Sequence, residues 1–204
     1  MTKTMDVYGK EFRAARIKDL EERVSQKRLK HILGVEQTAA KLASVYGEDV
    51  QKAALAGLLH DWDKGMNDEE IRTRALELDI DDGADGWVIK HMPATLHGPT
   101  AAAALSRTFP DIPHEVIRAI EIHTIGAPQM TALDKILYIA DALEPGRNFA
   151  EITYLRDLTG ASSLNELFFE VYKFWTCALI SHGRVLHPQT VEVWNSLVSE
   201  NAKS

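Results

Sequence analysis

An all-α bundle is the fold this sequence predicts, and three observations predict it. Apolar residues recur at steps of three and four through most of the chain, the spacing of one buried helix face. No run alternates convincingly between apolar and polar with period two, so no strand is expected. Capping residues before, and Gly or Pro after, bracket most of the periodic segments.

The elements follow in order. Glu11 to Val24 reads as an exposed amphipathic helix. Ser25 caps a second helix that runs to Tyr46 and stops at Gly47. On it His31, Val35, Ala39, Leu42 and Tyr46 share one apolar stripe, so His31 faces inward. Val50 to Asp61 (VQKAALAGLLHD) is apolar on most sides and therefore central, and its polar end stops at Gly65. Asn67 or Asp68 opens a short helix to about Leu78. DIDDGADG is an acidic, turn-rich loop. Trp87 to His97 reads as irregular, and Pro99 suits the first turn of the helix carrying Ala101 to Ala104. Asp111-Ile-Pro113 starts HEVIRAIEIHT, which Gly126 and Pro128 end. Thr131 with Asp134 three residues on forms a capping pattern for TALDKILYIADAL, closed by Pro145-Gly146. A connector with short helical potential follows. Ser163 with Glu166 caps a helix to about Ile180, and Pro188 opens the last one, to Ser199.

Length and composition bound the function. The 204 residues suit one domain, 1–204, with a core over about 20–147 and C-terminal helices over about 150–201 packed on it. With 45% hydrophobic and 26% charged residues the chain is an ordinary soluble globular protein. Its 23 Lys and Arg against 30 Asp and Glu leave a net charge of −7, which argues against a nucleic-acid polymer as partner. A small anionic ligand stays open, since a metal or local positive charge reverses the field. Cys177 is the single cysteine and forms no internal disulfide. The longest apolar stretch, Ala53 to Leu59, is too short for a bilayer, and the first residues lack the apolar core of a signal peptide. A cytoplasmic protein with no membrane partner is the expectation.

The chemistry lies in the histidines and acids. His60-Asp61 ends the most apolar helix, and a buried carboxylate is costly unless paired or bound to metal. Asp141 sits within LYIADAL, where its apolar neighbours imply burial, and needs a partner for the same reason. With His31 these residues make a mixed nitrogen and oxygen site for a first-row metal. His97, in LHGPTAA, and His123, at the end of IRAIEIHT, fit a second metal, with Asp61 able to bridge. Gly98 permits close backbone approach beside His97. Glu121 points away from His123 on a helix. Each histidine taken alone is better explained by a core or capping role.

Taken together, His31, His60-Asp61, His97, His123 and Asp141 resemble the ordered signature of the HD-domain phosphohydrolases. The stretches RLKHILGVEQTAAKLASVYG, AALAGLLHDWDK, LHGPTAA, IRAIEIHTIG and MTALDKILYIADALEPGR are similar to one bacterial branch, the symmetrical diadenosine tetraphosphatases of YqeK type. The resemblance spans about Leu20 to Arg147. It departs at Ile32, where Ser is frequent, and at Asp63 and Gly65, none of them a ligand position.

The resemblance implies an HD-domain helical bundle with a dimetal centre between its core helices. His31, His60, Asp61 and Asp141 would hold one ion, and His97 and His123, with Asp61 bridging, the other. The family implies iron, while the ligand set alone also suits Mn, Co or Zn. Asp61, Lys64 and Arg147 would serve catalysis, and Arg28, Lys64, Thr124 and Arg147 would bind substrate. Lys64 reaches the ligand edge if the helix continues past Asp61. His91, His114, His182 and His187 are assigned to surface or structure, and Trp62 to the core. The implied reaction is hydrolysis of diadenosine tetraphosphate, a small nucleotide, to two ADP, and a homodimer is left open. Two other readings stand beside it: an HD-domain hydrolase of deoxynucleotides or cyclic dinucleotides, and a nucleotide-binding regulator without turnover.

Overall fold

The computed structural model describes residues 5–201. Among them are eleven α-helices and no strand, apart from one isolated bridge between Thr159 and Ser162. The helices are α1 (Lys10–Arg23), α2 (Gln26–Tyr46), α3 (Val50–Leu59), α4 (Asp68–Glu77), α5 (Trp87–His91), α6 (His97–Thr108), α7 (His114–Ile122), α8 (Ala132–Leu143), α9 (Ile152–Asp157), α10 (Leu164–Ser181) and α11 (Pro188–Asn201).

Local chemistry sets most boundaries. The Ser25 hydroxyl accepts the Arg28 N–H and opens α2, and Gly47 in the left-handed region closes it. Capping boxes start α4 at Asn67 and Glu70, α8 at Thr131 and Asp134, and α10 at Ser163 and Glu166.

Several boundaries differ from the sequence reading: α7 stops at Ile122, short of His123 and Thr124, and α11 runs on to Asn201. The helix α3 ends at Leu59, before His60 and Asp61. From there the chain winds through three-residue turns, with the N–H groups of Trp62, Lys64 and Met66 donating to Leu59, Asp61 and Asp63. The His60 ring bonds the Gly57 carbonyl, the group a continuing helix would offer to the Asp61 N–H. The stretch expected to be irregular holds α5 and a 3₁₀ turn at Pro93–Thr95, and α6 starts at His97. Pro99 is therefore the third residue of α6, where a missing N–H leaves no bond unmade.

The core forms where α2 crosses α3 and α8, α7 packs on α3, α6 and α8, and α10 covers α8. Ile32 and Val35 of α2, Leu58 and Leu59 of α3, and Ile136 and Leu137 of α8 are almost fully enclosed. Each such side chain contributes about 1.5–3 kcal/mol through burial. A smaller cluster of Ile71, Ala75, Val88 and Leu96 ties α4 and α5 to the start of α6. No helix among the described residues is long and apolar enough to cross a membrane.

Candidate metal centre

Five segments aim six side chains at one point. His31 comes from inside α2, and His60 and Asp61 lie just past the end of α3. His97 is the first residue of α6, His123 the first beyond α7, and Asp141 lies inside α8. His60, Asp61, His97 and His123 are buried. His31 and Asp141 form the rim, with 11% and 26% of their side chains exposed. Asp141 is thus less enclosed than its neighbours in sequence suggested. Ile139, Ala140, Ala142 and Leu143 turn to the core, and the helical period leaves Asp141 on the face toward the cleft.

The imidazoles are locked in one orientation. Nδ1–H of His60 donates to Gly57 O at 2.7 Å, that of His97 to Ala94 O at 2.8 Å, and that of His123 to Ile120 O at 2.7 Å. His31 Nδ1–H donates to the Glu144 carboxylate at 3.0 Å. In the neutral ring every Nε2 is then a lone pair, and all four point inward. His31 Nε2 and His60 Nε2 are buried without a hydrogen bond, although His31 Nε2 lies 3.0 Å from Asp141 Oδ1 and His60 Nε2 3.3 Å from Asp61 Oδ2. The Nε2 atoms of His97 and His123 face each other at 3.1 Å. The Thr124 hydroxyl stands 3.2 Å from both, and its one proton can serve only one.

Such lone pairs, converging without protons, fit cations. Donor atoms of His31, His60 and Asp141 lie within 4.8 Å of one another, as do those of His60, Asp61 and His123. Asp61 turns Oδ2 to His60 and His31, and Oδ1 to His97 at 3.3 Å. Imidazole and carboxylate together suit first-row metal ions.

The electrostatics divide the rings: burial would lower His60, but the Asp61 carboxylate beside it, then Asp141, raise it overall. Burial, then the His97 and His60 rings, push His123 down to about 3, so it stays neutral. Burial alone would raise Asp61 and Asp141, and only positive charge among the rings beside them, the charge a bound cation would supply in their place, brings both well below the ordinary carboxylate range, with Arg147 adding to the effect on Asp141.

Three cations line the approach. An Arg28 guanidinium nitrogen (Nη1) lies 3.0 Å from Asp61 Oδ2. Arg147 bonds both the side chain of Asp141, at 2.6 Å, and its backbone carbonyl, at 2.9 Å. Lys64 Nζ lies 3.3 Å from the His97 ring. It arrives there by the turns after Leu59 and not by a continued helix. Burial lowers its pKa, Arg28 and Arg147 act in the same direction, and Asp61 and Asp141 act against it.

Gly98 does permit the expected approach: a Cβ there would stand 2.8 Å from Glu121 O and 3.3 Å from the His123 ring. His91, His114 and His182 are exposed and His187 is half-buried. Trp62 is buried among core side chains, under Arg23 and edge-on to Phe109. The departing positions also look away from the centre. Ile32 is core, and Asp63 is buried beside Arg74 and Arg23. A groove of about 770 Å³, lined by Arg23, Trp62, Asp63 and Arg74, opens behind this turn and contains none of the six donors.

Sequence reasoning passed over Glu144 and Arg156. The first lies in the stretch EPGR, where attention went to Arg147. Its signal was a lone acid directly after the apolar turn of α8. The second had no local signal, because its partners are backbone carbonyls of another segment.

Comparison with known proteins places this arrangement. The HD domain family matches residues 28–146, a span that holds all six donors together with Arg28, Lys64 and Thr124. The chain is 33% identical over 179 residues to the symmetrical bis(5'-nucleosyl)-tetraphosphatase of Staphylococcus aureus, covering 85% of this chain and 88% of that one. It is 29% identical to the protein of that name from Bacillus subtilis, over 88% of this chain and 94% of the other. A crystal structure from Clostridium acetobutylicum, described as a predicted HD superfamily hydrolase involved in NAD metabolism, superposes with a TM-score of 0.83. That match has 34% identity and covers 92% of this chain and 97% of the other.

Proposed function

The chain belongs to the HD domain family, and we propose that it is a metal-dependent hydrolase that splits diadenosine tetraphosphate symmetrically into two ADP. The names of its bacterial relatives support the substrate and the place of cleavage. The observation that carries the chemistry is the pair of buried imidazole nitrogens, on His31 and His60, that face carboxylates without a hydrogen bond. In this reading His31, His60, Asp61 and Asp141 hold one ion, and His97 and His123, sharing Asp61, hold the other. Two ions so held lower the pKa of water and offset charge that builds on a phosphate. Iron is the metal assigned on the family resemblance, and the donor set also suits Mn, Co or Zn.

The remaining steps fall to side chains of the chain. Arg147 presents a planar fork that matches two phosphate oxygens, and its present partner, Asp141, is a proposed ligand. Lys64 sits in a partly desolvated place, where its charge acts more strongly on a phosphoryl oxygen than it would in water. Arg28 flanks the other side of Asp61. Thr124 offers a hydroxyl beside His97 and His123. Water adds to one inner phosphorus, and the bridging oxygen departs with the second ADP.

The test is turnover on diadenosine tetraphosphate after anaerobic iron loading, with Mn, Co and Zn in parallel and early products separated. ADP alone is the expected product. Early ATP plus AMP rejects symmetrical cleavage. Tight nucleotide binding without turnover on any metal rejects the enzyme and leaves a regulator.

A further inference from the structure

Three of the four central imidazoles are held alike, and the fourth is not. His60, His97 and His123 sit at helix ends, and each turns Nδ1–H to the carbonyl three residues back. At the ends of α3 and α7 those carbonyls belong to the last turn, which lacks helical N–H partners. His31 lies inside α2, where the carbonyls of the preceding turn are taken by the helix. Its Nδ1–H reaches another element instead, the Glu144 carboxylate just past α8, at 3.0 Å.

Glu144 is built into that place. It is 4% exposed, and no Lys or Arg side chain among the described residues forms an ion pair with it. Oε1 accepts from His31, and Oε2 accepts from the Gly146 N–H. Two glycines leave room for the carboxylate. A Cβ on Gly34 would lie 2.7 Å from Oε2, and a Cβ on Gly146 would lie 2.9 Å from each oxygen. Arg156 clamps the segment from outside, donating to the carbonyls of Leu143, Glu144 and Arg147 at 3.0, 2.6 and 3.2 Å. A buried carboxylate without a cation is unfavourable unless strong donors surround it. An imidazole carrying a metal on its far nitrogen is such a donor.

We propose that Glu144 is the positioning residue of the centre: it holds His31 in the tautomer whose Nε2 lone pair faces Asp141, and so sets metal affinity in the His31 half of the site. The inference rests on the dimetal reading above. It also assigns Gly34, Gly146 and Arg156 to the support of one carboxylate. A glutamine is a poor substitute, because an amide has one acceptor oxygen and two acceptors are required. With its oxygen on Gly146, its NH₂ meets His31 and favours the wrong tautomer. With its oxygen on His31, its NH₂ meets another N–H.

The experiment uses full-length, metal-free protein titrated with Co(II) against a chromophoric chelator. It reads the number of ions, their affinities and the absorption of bound Co(II). Wild type should take two ions. Glu144→Gln should weaken one of them by about 10- to 100-fold and change its spectrum, while the other keeps its affinity. Gly146→Ala should weaken the same ion to a lesser degree, and it carries the test if Glu144→Gln fails to fold. Glu36→Gln, at a buried carboxylate paired with Arg13, should leave both affinities unchanged. Two ions bound as in wild type by both Glu144→Gln and Gly146→Ala would overturn the proposal. So would an equal loss of both ions in Glu144→Gln and Glu36→Gln alike, which marks a general structural effect. A wild type that binds no metal would remove the dimetal reading and this inference with it, whereas normal metal binding without cleavage of diadenosine tetraphosphate would remove only the substrate.

Discussion

The helices α2 to α8 and the helices α9 to α11 obey the same packing rules and bury different things. From α2 to the residue just past α8 the interior encloses the polar side chains of Glu36, His60, Asp61, Asp63, His97, Thr100, His123, Asp134 and Glu144. Two imidazole nitrogens there have no hydrogen bond. From α9 onward Thr190 is the one buried polar residue among those described, and the rest of the interior is Ile152, Leu155, Leu167, Phe168, Val171, Tyr172, Val193 and Leu197. Satisfied apolar burial stabilises the fold. Inward lone pairs oppose it until a ligand arrives, so their location separates chemistry from scaffold. A third buried atom without a partner, Asp134 Oδ1, shows the limit of the rule. The other oxygen of that carboxylate takes Arg118 and the Thr131 N–H, and it lies on the far end of α8.

Substitutions in the two regions should move opposite observables. Asp61→Ala is the largest expected effect. It removes the proposed bridge, so metal content should fall and turnover should vanish, while helical circular dichroism persists. Chelation of wild type should reproduce the loss. Near-normal turnover in metal-replete Asp61→Ala would break the comparison at its centre.

Leu167→Ala comes next and should do the reverse. Leu167 is fully enclosed in α10. Its truncation should lower stability by about 2–5 kcal/mol, a fall of about 2–4 °C in melting temperature for each kcal/mol. Metal stoichiometry and kcat at a temperature well below melting should stay at wild-type values. A change in metal content would show that the scaffold and the centre are not separable.

Lys64→Ala and Arg147→Ala sharpen the comparison within the site. Each should slow turnover by roughly 10²-fold, the scale for a lost transition-state donor. Neither is a proposed ligand, so metal analysis should read as in wild type. Unchanged rates in both would take them out of the mechanism.

The smallest effect is a matter of pH. Glu166 caps α10, and hydrogen bonds from the Ser163 backbone, then its side chain, hold its pKa below the ordinary 4.5. A depressed folded pKa adds stability that is fully present above 4.5 and is lost as pH falls through the folded value. Wild type should show this shallow loss in acid relative to Glu166→Gln, seen by denaturant titration of both proteins across pH 3 to 6. Parallel curves would refute a contribution from the cap.

How much of this was legible follows from the range of each interaction. Helix starts are set by bonds within four residues, so Ser25, Thr131 and Ser163 are legible as caps, and Asn67 is one of the two residues the sequence offers for α4. The end of α3 is not legible in this way, because the His60 ring intervenes in the backbone ladder. The exposure of Asp141 was misjudged from its neighbours in sequence, since a helix turns successive residues to different faces.

By itself the sequence determined the helical class, most of the caps and the chain order of six candidate donors, and it singled out Arg28, Lys64 and Arg147 as candidates beside them. Periodicity and short-range hydrogen bonding carry that much, together with a motif whose spacing survives in the chain. Tertiary structure decided which nitrogen each histidine presents, that Arg28 and Arg147 rest on Asp61 and Asp141, and that Glu144 stands behind His31. The reason is physical: an imidazole tautomer is set by the partner of its other nitrogen. For His31 that partner lies 113 residues away, across two helices that meet only when the core closes.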